Sequence, residues 1–229
     1  LSISLETLPL PATFTGLLEG LRTAVKQPPA DPRRMESAAS PRGPRSKENR
    51  VTQTGPASPP QYAQWILERA NPRDPGNMIR LLVMLPKGVT WRDLHSAIHH
   101  LVKAHPALRT RVGLESNNLT GKLLQIVRPT PAQIPLESRS VQDFKQNSLL
   151  PIIDGLMEGP PSLEGGRVFR SVGLSHQGRL SAVLFLFQHA AVDDPSLRIL
   201  EADLLGALQG SDPVPEVQTQ LGWASDVSL

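Results

Sequence analysis

The spacing of apolar residues divides the chain into a sparse opening quarter and a densely patterned remainder. Near the start, Phe14, Leu17, Leu18, Leu21 and Val25 recur at helical spacing, which predicts a short amphipathic helix over residues 11–26. Such a helix packs on its own domain or on whatever precedes it; the alternative is a docking helix for a neighbouring protein. Residues 27–57 hold prolines, serines, glycines and charges, with almost no large apolar side chain. They cannot bury enough surface to offset the entropy of ordering, so they read as a flexible linker.

The pattern changes at Ser58, a suitable helix cap followed by prolines that fit a first turn. Tyr62, Trp65, Ile66 and Leu67 then form a predicted buried face up to Arg69. Asn71-Pro72 and Asp74-Pro75-Gly76-Asn77 mark a turn. Met78 to Leu85 reads as a strand buried on both faces. Thr90 to Ala104 reads as a helix, with Thr90 its cap, Asp93 in the positive first turn, and Leu94, Ile98, Leu101 and Val102 facing inward. Leu108–Leu114 and Lys122–Val127 read as strands joined by the turn at Glu115-Ser116-Asn117-Asn118. A short strand over Ile134–Ser138 and a helix over Val141–Gln146 follow; the rest of that region, to Gly159, fits no single template. Arg167–Leu174 and Leu180–Phe187 form a predicted hairpin around Ser175-His176-Gln177-Gly178. A last helix, about Pro195 to Leu208, carries Leu197, Leu200, Leu204 and Leu208 on one face before Pro213 and Pro215 break the chain. There is no internal repeat. The parts are a helix at 1–26, a linker at 27–57, a globular lobe at 58–210 and a polar tail at 211–229. The lobe reads as an α/β sandwich, helices against a mixed, mostly antiparallel sheet.

Composition sharpens this division. An apolar fraction of 39% and 23 prolines among 229 residues suit a compact part joined to a flexible one. The absence of cysteine excludes disulfides, thiolate metal sites and a cysteine nucleophile, and fits a cytoplasmic protein. No apolar run reaches membrane-spanning length, and the start lacks the basic-then-apolar signature of a secretory signal. Beginning at Leu1, the chain reads as processed or excerpted from something longer. The net charge of +3 does not indicate nucleic acid. Much of the basic excess sits in the proline-rich stretch (Arg33, Arg34, Arg42, Arg45, Lys47, Arg50), and aromatics at 4% leave little to stack on bases.

The densest chemical signal is Leu184-Phe185-Leu186-Phe187-Gln188-His189-Ala190-Ala191-Val192-Asp193-Asp194. An apolar strand delivers His189 at its end, and Asp193 follows four residues later. A histidine titrating near neutrality can take a proton from an attacking amine or hydroxyl, or hold the amine as charge develops. Its ring is expected to be fixed by the sheet with its edge facing a cavity. Two earlier segments accompany it: Ser58-Pro59-Pro60-Gln61-Tyr62-Ala63-Gln64-Trp65 and Ala104-His105-Pro106-Ala107-Leu108-Arg109-Thr110-Arg111-Val112.

In order and spacing these three segments resemble the first three motifs of the condensation domains of non-ribosomal peptide synthetases, within the H-x-x-x-D acyltransferase superfamily. The resemblance covers the amino-terminal lobe and implies a chloramphenicol-acetyltransferase-like two-layer sandwich. It implies that His189 is catalytic and that Asp193 is structural, ion-paired with a basic side chain; Arg109 is one candidate within this chain, and the second lobe could supply another. Gln188 stands where the family usually has a first, structural histidine. Asp194 replaces the usual glycine, and Pro195 is unusual there, while Ser196 matches. These departures bear on catalytic competence rather than on the fold. In the second motif His105 and Arg109 match, with Pro106 in place of the common glutamate; His105 reads as a helix-end residue, not a catalyst. In the first motif Gln61 and Trp65 match as packing residues, with Ala63 where arginine is frequent. His95 and His99 are one turn apart, but they lack the glutamate and cysteine partners of a metal motif and read, with His100, as an exposed face.

The resemblance further implies acyl or peptidyl transfer between carrier proteins. The phosphopantetheine arm arrives with the carrier, so the chain itself binds no cofactor, and a second lobe completes the tunnel. Two alternatives stand beside this reading. One is an acyltransferase of the same superfamily that uses coenzyme A. The other is a non-catalytic module that binds a carrier protein or a synthetase subunit.

Overall fold

The computed structural model describes residues 53–114 and 122–211. The predicted helix at 11–26, most of the linker, the turn at 115–118 and the tail from 212 lie outside the described residues. The linker's last residues, Gln53–Pro56, form strand β1, which pairs antiparallel with β4 (Leu123–Val127). No apolar pattern announces β1, because main-chain hydrogen bonds to β4 hold it; Ala57 N extends the pairing to Leu123 O at 2.9 Å. With β3 (Thr110–Leu114), these strands make a small antiparallel sheet of order β1-β4-β3.

The larger sheet carries the motif strand. Its order is β2-β7-β6-β5, where β2 is Met78–Met84, β5 Glu137–Val141, β6 Phe169–His176 and β7 Arg179–Gln188. β7 lies between antiparallel neighbours on both sides, and β5 adds in parallel to β6. The parallel step requires a crossover, and helix α3 (Gln146–Met157) supplies it. The sequence pattern expects a strand over Ile134–Ser138 and a helix over Val141–Gln146; β5 instead begins later, and Val141 is its last residue. Asp143 accepts from Lys145 N at 3.0 Å and from Ser148 Oγ at 2.5 Å, so the helix starts only beyond that turn. The hairpin turn falls where expected, with Gln177 and Gly178 in the left-handed region (φ 50 and 74).

Alternation along β7 sets the core. Val183, Phe185 and Phe187 face the cluster containing Leu94, Ile98 and Leu101 of α2 (Trp91–Ala104) and Leu200 and Leu204 of α4 (Asp194–Leu208). Ala182, Leu184 and Leu186 face Leu149, Ile153 and Leu156 of α3. Phe185 and Phe187 stack with centroids 5.4 Å apart. A strand buried on both faces cannot slip by one residue without exchanging its two apolar sets. Its terminal residues are therefore fixed in register, with Met78 opposite Gln188. Among the described residues, no helix is long and apolar enough to cross a membrane.

Helix α1 (Pro59–Ala70) departs from expectation in one respect. Its boundaries and cap agree: Ser58 and Gln61 form a capping box, with prolines at the first helical positions. Its buried face, however, is polar. Gln61 and Glu68 are buried, Trp65, Ile66 and Leu67 are half-buried, and Tyr62 is 49% exposed. The helix meets polar groups of β4, β7 and the 162–163 loop, so the face with hydrogen-bonding capacity turns inward.

Candidate functional site

The three motif segments meet at the carboxy-terminal end of β7. The strand's last rung is Gln188, which is fully buried. Its backbone N donates to Val168 O at 2.8 Å, and its side-chain Nε2 donates to Glu68 Oε2 at 3.0 Å. Glu68 also accepts from Leu163 N at 2.8 Å and from Ser162 Oγ at 2.6 Å. One carboxylate thus ties α1, the 162–163 loop and the root of the motif. It is satisfied by three donors instead of a cation, as a buried carboxylate must be by one or the other. Among the described residues, Gln188 Oε1 is buried without a hydrogen-bond partner. The amide therefore uses only its donor side, the side a ring nitrogen would also present.

His189 comes next, at the start of a turn closed by Ala191 N to Gln188 O at 2.9 Å. Its own N donates to Asn77 O at 2.9 Å, so the turn leading into β2 anchors its backbone. The side chain is exposed. Among the described residues, Ala190, Ala191, Val192 and Ser196 line the cavity beside the turn, and His189 is not part of that lining. The turn directs the histidine outward at the strand's end while the following residues fold back.

Asp193 caps α4. It accepts from Ser196 N at 3.0 Å and, in a short contact, from the Ser196 hydroxyl. The Ser196 hydroxyl first, then its amide, with His189 nearby adding a weaker pull, hold the Asp193 carboxyl below its ordinary range. The Asp193–Arg109 ion pair is not among the contacts of the described residues. Arg109 donates to Val102 O at 3.3 Å and Arg128 O at 2.6 Å, and Asp193 is committed to the helix cap. Asp194 occupies the first position of α4 and is exposed, a favourable place for a negative charge.

The second motif ends α2 and enters β3. His105 is the C-cap of α2, and its Nε2 lies 2.7 Å from Asp203 Oδ2 on α4. It joins the helix before the second motif to the helix after the third. In the first motif, buried Gln61 donates through Nε2 to Gln125 Oε1 at 3.2 Å. Trp65 packs on Tyr62 and under the Arg69 guanidinium, 4.9 Å from the ring centroid. His95 and His99 are half-buried on α2 and His100 is exposed; among the described residues no cluster could hold a metal ion.

Beneath the turn lies a cavity of about 250 Å³, reached by all three motif segments. Leu108, Val112, Val127, Leu163, Ile199 and Leu200 make it mostly apolar, with Gln61, Gln125, Thr110 and Ser196 as polar points. Such a space takes an apolar group and fixes it by a few polar contacts. Glu68, Asp203, Asn77 and Gln125 are the partners that reading the sequence missed. Only Glu68 carried a signal: it lies seven residues from Gln61, on the same helical face.

No protein-family model matches the chain. Among solved structures, the condensation domain of the Monacolin K polyketide synthase MokA superposes with a TM-score of 0.59 at 15% identity, covering 76% of this chain and 38% of that one. The chain has the fold of a condensation-domain lobe. The same lobe matches the epimerization domain from the third module of tyrocidine synthetase B at TM-score 0.60 and 20% identity, covering 79% of this chain and 41% of that one. In sequence, malformin synthetase mlfA of Aspergillus niger is 28% identical over 132 residues, which are 58% of this chain and 2% of that protein. The condensation-type lobe thus spans less than half of each solved chain and a small piece of the synthetase. Because a condensation and an epimerization domain share the shape, the chemistry must be argued from residues.

Proposed function

We propose that this chain is the amino-terminal lobe of a condensation domain and transfers an acyl or peptidyl group from a carrier-protein thioester to an amine. The observation that carries the reading is the end of β7: a backbone fixed by Gln188, Glu68 and Asn77, with His189 projecting from it. In the proposed reaction the amine nitrogen attacks the thioester carbonyl, a C–N bond forms and the C–S bond breaks. His189 takes the proton from the attacking amine and returns it to the departing thiolate. Asp193 holds the start of α4 and thereby the turn. The apolar cavity under the turn suits part of the acyl group. The phosphopantetheine arm belongs to the carrier protein and supplies the thiol of the thioester.

An exposed histidine is a poor base for this work, because orientation and exclusion of water carry much of the rate. The reading therefore requires a second lobe, in the same chain or in trans, that covers His189. The test is transfer from an acylated carrier protein to an amine acceptor, by the chain alone and completed with a carboxy-terminal condensation lobe. The expected result is transfer only in the completed protein, lost on His189→Ala. Transfer that survives His189→Ala overturns the role of the histidine. Acyl-coenzyme A serving as donor in place of the carrier would favour the coenzyme A-dependent reading.

A second reading rests on Gln188 and Asp194, which depart from the motif at positions flanking its ends. Here the lobe binds a carrier protein or a synthetase subunit without turnover. Carrier binding unaffected by His189→Ala, with no transfer in the completed protein, selects it.

A further inference from the structure

A second cavity, of about 160 Å³, lies between the end of α2, the segment after β4 and the start of β6. Its lining includes Arg109, Arg128, Arg167 and Arg170, with Glu137 as the one carboxylate among them. That carboxylate is already committed: Arg170 pairs with it, and Arg139 reaches it at 3.3 Å. Arg170 also donates to Leu156 O at 2.8 Å and Gly159 O at 3.0 Å, and Arg109 to its two carbonyls. The guanidiniums of Arg128 and Arg167 make no hydrogen bond or ion pair among the described residues.

The seat of Arg128 depends on Gly166. That residue has φ +71, and a Cβ built on it would lie 2.8 Å from Arg128 Nη1. Bare backbone in the left-handed region is what lets the guanidinium lie there. The remaining wall, including Ile134, Phe169 and three prolines, is mostly apolar, with Ser171 its one polar side chain, and strengthens the field of the cations. Two uncommitted planar forks offer two bidentate contacts. A single carboxylate would have to share its oxygens between them, whereas a phosphate offers separate oxygens to each.

We propose that this cavity is an anion subsite for a phosphate-type oxyanion, free or carried as a phosphoester, held by Arg128 and Arg167. It is independent of His189 and of the transfer reaction. In the test, the 229-residue chain is titrated with inorganic phosphate at constant ionic strength while the backbone amides of residues 166–171 are followed by NMR. Saturable shifts are expected, weakened about ten-fold or more in Arg128→Gln/Arg167→Gln and unchanged in Arg179→Gln, at the far end of the hairpin. Both substituted arginines are exposed, so the dispersion of the remaining spectrum verifies that the variant folds. The charge-preserving Arg128→Lys/Arg167→Lys must also weaken binding. Equal binding there, equal loss in Arg179→Gln, or shifts that never saturate would mean diffuse attraction and overturn the site. Acetate binding as tightly as phosphate overturns the choice of ligand. Glycerol 3-phosphate binding alongside phosphate supports an esterified source, and phosphate binding alone supports the free ion.

Discussion

Gln188 and His189 are adjacent in sequence and lie in opposite surroundings. Gln188 is sealed among α1, β7 and the 162–163 loop, with its amide on a buried carboxylate. His189 stands in solvent on the turn that follows, with its backbone anchored to Asn77. The first residue belongs to stability, and the second is the one to which the proposed function gives the chemistry. A motif that reads as one unit therefore divides at a single peptide bond, and changes on its two sides have different consequences.

The strongest challenge to that division is Glu68→Ala. It leaves the Gln188 amide, the Leu163 N–H and the Ser162 hydroxyl without their acceptor, and should cost about 3 kcal/mol or more in denaturant unfolding. A cost under about 1 kcal/mol would mean that water replaces the carboxylate and that the root of the motif is not sealed. Next is His105→Ala, which removes the link from α2 to Asp203 on α4; a loss of about 1–3 kcal/mol is expected by the same measurement. Asp193→Ala should cost about 1 kcal/mol, as loss of a helix cap does.

The same carboxyl gives a pH signature. Its folded-state pKa is held below the unfolded value, so its contribution is complete above the unfolded value and is lost as pH falls through the folded one. Stability should therefore decline below about pH 4, and Asp193→Asn, which keeps a cap but cannot titrate, should flatten that share of the decline. An unchanged acid profile in Asp193→Asn would assign the decline elsewhere, with Asp93, held low by its hydrogen bonds from Thr90, and Asp143, held low by those from Ser148 and Lys145 N, as the alternatives. The smallest stability effect belongs to His189→Ala, within about 0.5 kcal/mol as for other surface positions. Paired with loss of transfer in the completed domain, it would separate the two residues fully.

Much of this was legible in the chain. The apolar run ending at Phe187 placed β7 to within a residue at each end, and the caps at Ser58 and Thr90 did the same for α1 and α2. Much of what was not legible shares one cause: long-range polar pairing. Glu68 with Gln188, His105 with Asp203, and Gln61 with Gln125 have no local pattern, because each partner is polar and distant in sequence. β1 escaped for the same reason, since main-chain pairing to β4 requires no apolar side chain. The α1 face was misread because helical periodicity reports where apolar residues lie, not which face the fold has partners for.

The position of β7 between β6 and β2 also orders events during synthesis. Its pairing with β6 closes across a two-residue turn, while its pairing with β2 spans most of the described chain. Distant pairings pay their loop entropy before they return contacts, so the hairpin forms readily and β2 docks late. β2 leaves the ribosome long before its partner and presents an apolar strand with unpaired hydrogen-bonding groups on both sides, the kind of segment that aggregates or recruits chaperones. Because His189 N bonds to Asn77 at the foot of β2, the histidine reaches its place only when that slow step is complete.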